Sequence, residues 1–181
     1  MKKIIIYASK YGSSTKYAAE IGKALDYPVY SYQDKQLSST ITDAGEIIFV
    51  AAVHISKPIA LKKLVELCPP NMNVTFVAVG LNDYNLAEKR TPVEESITKE
   101  FAANNIKVNN IYYLRGSLDM KRMSLLEKTM FKKFYKDAKG KSDNQKNDGD
   151  QFILEAYENP DFSDVKGLEN IIQQIKTDSA S

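Results

Sequence analysis

With 181 residues, a formal charge of +2 and one cysteine, the chain has the makeup of a single soluble globular domain. No apolar run is long enough to cross a bilayer, and the charge is too nearly balanced to argue for a nucleic-acid partner. Cys68, standing alone, excludes an internal disulfide and any cysteine-based metal cluster, so cytoplasmic residence is the expectation.

At the start, Met1-Lys2-Lys3 precedes an apolar run that ends too soon for a signal peptide, and Lys3–Ala8 is predicted as a strand. Thr15–Leu25 then sets Tyr17, Ala18, Ile21 and Leu25 on one helical stripe. Val29–Tyr32 reads as an edge strand. Glu46–Ala52, Val74–Gly80 and Val108–Leu114 are rich in β-branched residues and continuous rather than alternating, the pattern of strands covered by helices on both faces. Between them, Pro58–Leu67 is predicted to be a helix opened by its proline and stopped by Cys68-Pro69-Pro70. Thr91-Pro92-Val93-Glu94 reads as the capped start of another.

After the last strand the alternation breaks. Ser124-Leu125-Leu126-Glu127 is a capping box, opening a helix to about Ala138. Leu126, Met130, Phe131, Phe134 and Tyr135 fall on one face of it, and Lys128, Lys132, Lys136 and Lys139 on another. The polar run Gly140–Asp150 is expected to be a mobile loop. Residues 119–160 thus form a basic helical insertion within one domain spanning 1–181. A final helix is expected from Ser163 or Asp164 to Lys176, with Thr177–Ser181 as a loose tail. Strand–helix alternation of this kind predicts an α/β fold, a doubly wound five-stranded parallel sheet.

The functional signal lies at the first strand–helix turn, Ser9-Lys10-Tyr11-Gly12-Ser13-Ser14-Thr15. Small and hydroxyl residues there free backbone N–H groups and the positive end of a helix dipole to face an anion, and Lys10 adds a full charge. The plainer reading is an ordinary turn capped by a hydroxyl. Gly-x-Gly-x-x-Gly and Gly-x-x-x-x-Gly-Lys-Ser/Thr are both absent, which removes the common dinucleotide and P-loop fingerprints. No cysteine stands in the turn for a thiol phosphatase, and no acidic residues end the strand as in a receiver domain.

Ser-x-x-Gly-x-x-Thr in this position resembles the phosphate loop of flavodoxin-like proteins. The resemblance implies FMN as cofactor, with hydroxyl roles for Ser9, Ser13, Ser14 and Thr15 and amide roles for Lys10 to Thr15, Tyr11 and Gly12 included. It also implies ring contacts from Val53, His54 and Ile55 and from Leu81, Asn82, Asp83 and Tyr84, with His54 and Tyr84 as the planar groups. On residue type alone His54 serves equally as a loop histidine bonded to backbone, and Tyr84 as sheet-edge packing.

Over nearly the whole chain, Glu88-Lys89-Arg90-Thr91-Pro92, Arg115-Gly116-Ser117-Leu118 and the basic, aromatic-bearing helix after them resemble the flavodoxin-like protoporphyrinogen oxidases. Asp119–Met123 departs from that family in lacking its dense Arg/Tyr repeat. The resemblance implies porphyrinogen oxidation, with electrons passed to a quinone or a redox partner protein. It raises contact of Lys121–Lys141 with an anionic membrane at the inner face, against the simpler view of a solvated lysine face. An electron-carrier flavodoxin without substrate chemistry is the alternative, and a flavin-free binding module a third. No catalytic acid or base and no metal ligand is assigned.

Overall fold

The computed structural model describes residues 2–180. Strand β1 (Lys2–Ala8) runs into helix α1 (Ser13–Leu25), and β2 (Val29–Ser31) and a short α2 (Leu37–Thr42) follow. β3 (Ala44–His54) is the longest strand and folds back on the two-residue β4 (Lys57–Pro58). Next come α3 (Leu61–Leu67), β5 (Asn73–Gly80), α4 (Ala87–Ala102) and β6 (Lys107–Arg115). The insertion holds α5 (Leu125–Gly140) and α6 (Asp148–Glu158), and α7 (Val165–Ala180) closes the described chain.

Five strands pair in parallel, as the sequence predicts, and their order is β2-β1-β3-β5-β6, with β4 added antiparallel beside the end of β3. From β1 the chain first builds outward to β2 and then crosses back to β3. That reversal puts a crevice beyond the carboxyl ends of β1 and β3, where open α/β sheets bind their ligands.

Each face of the sheet has its own core. α1 and α7 cover one through Tyr17, Ile21, Leu168 and Ile172 against Ile5, Ile48, Val50 and Val77. α3 and α4 cover the other through Leu64, Val93, Ile97 and Phe101 against Ile4, Ile47, Phe49 and Phe76. The central strands β1, β3 and β5 carry apolar runs because both of their faces are buried there.

Several boundaries differ from the sequence reading. Pro58 is not a helix start but pairs with Val53 in β4, and the helix begins only at Leu61. α4 begins at Ala87, so Thr91 and Pro92 lie inside it, and Thr91 back-bonds to the Ala87 carbonyl at 3.0 Å. The supposed loop Gly140–Asp150 is structured: a 310 turn over Asp143–Gln145 and the start of α6 are closed by capping boxes at Ser142/Gln145 and Asn147/Asp150. Thr177–Ala180 continues α7 rather than fraying, and Ser181 lies outside the described residues.

The insertion joins neither core. α5 buries only Ala138 and α6 only Ala156. The two helices pack on each other, with Tyr135 stacked on Tyr157 at 3.9 Å between ring centroids and Phe131 nearby at 5.7 Å. The excursion begins and ends at one place. Leu118 N–H donates to Pro160 at 2.8 Å, and Phe162 N–H donates to Gly116 at 3.1 Å.

Candidate functional site

Ala8 ends β1 fully buried, and the loop beyond it turns at Gly12, whose φ of 103° is open to glycine and strained for other residues. Ser9 Oγ accepts the Gly12 N–H at 3.0 Å, which folds the loop back over the start of α1. The first intrahelical donor is the Lys16 N–H, bonded to the Gly12 carbonyl at 3.1 Å. The N–H groups of the first turn, Ser13 to Thr15, therefore remain for a ligand.

The hydroxyls divide into engaged and free. Ser13 is committed to the chain beyond β6: its Oγ accepts the Ser117 N–H at 2.8 Å and lies 3.0 Å from the Ser117 hydroxyl. Ser14 is 1% exposed, and its hydroxyl has no hydrogen-bond partner. A buried hydroxyl left unpaired costs about 1–3 kcal/mol, so its retention at the floor of a cradle calls for a ligand acceptor. Thr15 lines a different cleft, shared with Arg122.

Above the cradle lies a partly enclosed cleft. Ser9, Lys10, Tyr11 and Ser14 line one end of it. Val53 and His54 from the end of β3, with Leu81 after β5, line the other. A phosphate ester at the α1 terminus with a flat ring extending between β3 and β5 fits this outline. The residues that would hold FMN are Ser14 and the loop amides for the phosphate, and Val53, His54 and Leu81 for the ring.

Other expected ring residues stand apart from that cleft. Ile55 sits at the tip of the β3–β4 hairpin, 83% exposed. Asn82 is half-buried, and Asp83 is exposed and caps the Asn85 N–H at 3.0 Å. Tyr84 turns inward, 6% exposed, and tilts against Tyr113 at 5.2 Å. Its hydroxyl has no partner, and burial, with Tyr113 beside it, pushes the phenol up to about 12. Asp83 and Tyr84 border a second, open cleft that also holds Arg90 and Arg115.

The hairpin tip is strained. Ile55 and Ser56 both have positive φ, 47° and 61°, as a two-residue turn of the type I′ kind requires. Asparagine and glycine suit those positions, whereas other L side chains there cost about 1–2 kcal/mol. Ile55→Asn loses little burial, so the variant is expected to be about 1 kcal/mol more stable to urea.

The insertion supplies groups that the sequence reading did not assign to the site. Arg122 lies over Gly12 so closely that a Cβ there would stand 3.1 Å from its Nη1. Glu127 accepts hydrogen bonds from the Lys10 ammonium and from the Tyr11 hydroxyl. The Lys10 bond, with those from Ser124, holds the Glu127 carboxyl down at about 2. The same bond raises Lys10 above its ordinary value. Sequence showed Glu127 only as the third position of a capping box, and nothing local signalled its reach across the fold.

Cys68 is partly buried, and desolvation pushes its thiol up to about 12, which leaves it unreactive. No described helix is long and apolar enough to cross a membrane.

No curated protein sequence matches the chain. Among solved structures it is similar to a flavodoxin from the domain Archaea, at 16% identity and a TM-score of 0.48 over 67% of this chain and 88% of that one. It is also similar to the Trp repressor binding protein from Bacillus subtilis (14% identity, TM-score 0.48, 64% of this chain and 85% of that one). Oxidised Flavodoxin 1 from Bacillus cereus gives 13% identity and a TM-score of 0.47 over 67% and 89% of the two chains. The profile of the flavodoxin domain family matches residues 4–145, which takes in the sheet, the cradle and the first insertion helix. The chain therefore belongs to the flavodoxin domain family, with FMN as its cofactor.

Proposed function

We propose that the protein is an FMN-dependent oxidoreductase that delivers electrons to an acceptor at an anionic membrane surface. The observation that carries this reading is the outer face of α5. Leu125, Leu126, Met130 and Phe134 are 82%, 70%, 47% and 48% exposed. Leu126, Met130 and Phe134 recur every fourth residue, so they form one stripe, with Lys133 and Lys136 along its flank. An apolar stripe bordered by lysines suits a helix lying in the headgroup layer of an anionic bilayer. Ile55 and Leu86 add exposed apolar groups on loops at the carboxyl edge of the sheet, the same edge as the cleft.

Bound FMN supplies the two-electron chemistry. The chain's own part is to hold the phosphate through Ser14 and the loop amides and to flank the ring with Val53, His54 and Leu81. The specific reaction we propose is oxidation of protoporphyrinogen with a quinone as final acceptor. Each electron pair, with its protons, leaves the porphyrinogen and ends on a quinone as quinol. Two features support it: the resemblance at Glu88–Pro92 and Arg115–Leu118, and the open cleft beside the β5–α4 loop. Arg90 and Arg115 in that cleft suit a ligand bearing carboxylates, and Tyr112 and Tyr113 give it flat walls. The carrier reading keeps its support from the main cleft, whose titratable side chains are limited to Lys10, Tyr11 and His54 among the described residues.

Two measurements decide between them. FMN-loaded protein given protoporphyrinogen and a soluble quinone without oxygen is expected to form porphyrin, and the carrier reading stands if it does not. The holoprotein is expected to co-sediment with phosphatidylglycerol vesicles at low salt and to remain in solution with neutral ones. Phe134→Glu is expected to weaken that binding by at least about tenfold, since it replaces an exposed apolar group that would enter the headgroup layer with a repelled charge. Failure to sediment with either vesicle type would remove the membrane from the proposal.

A further inference from the structure

Glu127 stands at a junction that cofactor binding alone does not explain. Its Oε2 accepts from the Ser124 backbone N–H and hydroxyl, both at 2.9 Å, which completes the cap of α5. Its Oε1 reaches back across the fold to the phosphate loop, accepting from Lys10 and, at 3.2 Å, from Tyr11. A helix cap needs only the first set. The second places a negative charge beside a loop that must hold a dianion, and it engages the single cation of the Ser9–Thr15 turn.

We propose that Glu127 competes with the FMN phosphate for Lys10, so that the first turn of the insertion helix sets cofactor affinity. The inference rests on FMN as the ligand of this cleft and concerns how tightly it is held. With Glu127 in place, the ammonium is neutralised and the phosphate relies on amides, the Ser14 hydroxyl and the helix dipole. With its charge removed, Lys10 is left to the phosphate. Arg122, whose own carboxylate neighbour is Asp119 at 3.4 Å, faces the loop from the same insertion and stays positive in both cases. Coupling of this kind is reciprocal. Lifting α5 away from the loop strengthens FMN binding, and FMN binding loosens the cap of α5.

Glu127→Gln isolates the charge, because glutamine serves equally at the third position of a capping box. Flavin fluorescence quenching on the full chain is expected to show FMN bound about tenfold more tightly by this variant at low salt, the scale of one nearby unit charge. The difference shrinks in molar salt. Riboflavin, which lacks the phosphate, is expected to bind both proteins equally. Lys10→Met is expected to weaken FMN binding, and the double variant Lys10→Met/Glu127→Gln to recover most of the loss. Backbone amides over residues 125–128 are expected to exchange faster once FMN is added. Unchanged or weaker FMN binding by Glu127→Gln overturns the inference, as does an equal gain for riboflavin. Wild-type protein that binds neither flavin overturns the cofactor assignment along with it.

Discussion

Replacing Ser14 with aspartate is expected to yield a colourless protein. The residue is 1% exposed at the floor of the cradle, so the carboxylate has no route to solvent and meets a doubly negative phosphate at close range. Like charges in such a site cost several kcal/mol, and FMN affinity is expected to fall by at least about a thousandfold. Ser14→Ala separates ligand contact from folding. The serine hydroxyl is unpaired in the protein alone, so its removal is expected to leave the apoprotein as stable or up to about 1 kcal/mol more stable. FMN affinity moves the other way, falling about tenfold to a hundredfold with the loss of one hydrogen bond to a charged group. Urea unfolding of the apoprotein and flavin titration read the two effects independently. A serine that served only to cap α1 would lose stability as alanine and leave the titration unchanged.

Phe76→Ala is expected to cost about 4 kcal/mol, a large part of the stability of a domain this size. Phe76 is fully buried in the central part of the sheet, edge-on to Phe49 at 5.3 Å and to Phe101 of α4 at 6.2 Å. The truncation removes the shared partner of both ring contacts and leaves a cavity between β3, β5 and α4, which the paired strands cannot close. Urea denaturation is expected to show a midpoint lowered in proportion, with an unchanged slope. A loss below about 1 kcal/mol would mean that the helix layer repacks freely over the sheet.

The sequence carried the sheet well because each of its central strands is buried on both faces and so written as an uninterrupted apolar run. Ser9–Thr15 was legible for the same local reason: the residues that form the turn are adjacent in the chain. Segment ends were less so. Thr91-Pro92 has the chemistry of a helix start, yet α4 begins one turn earlier, at Ala87. Gly140–Asp150 carries residues typical of disorder, but Ser142, Gln145, Asn147 and Asp150 spend their polar groups on capping neighbouring turns.

What local pattern could not show is pairing across the fold. Glu127 and Lys10 are 117 positions apart, and Ser117 and Ser13 are 104 apart. Tyr84 is a similar case. Its place in the β5–α4 loop suits ring contact, but whether the side chain points into the cleft or under the sheet depends on Tyr113, which arrives with β6.

The hydrogen bonds that join Gly116 and Leu118 to Pro160 and Phe162 gather both ends of the α5–α6 hairpin at one doorway. An appendage hung on a single doorway can lengthen, shorten or change its surface while the strands beneath keep their register. Descendants of this architecture are thereby free to trade one appendage for another, retaining the redox machinery while redirecting where it docks.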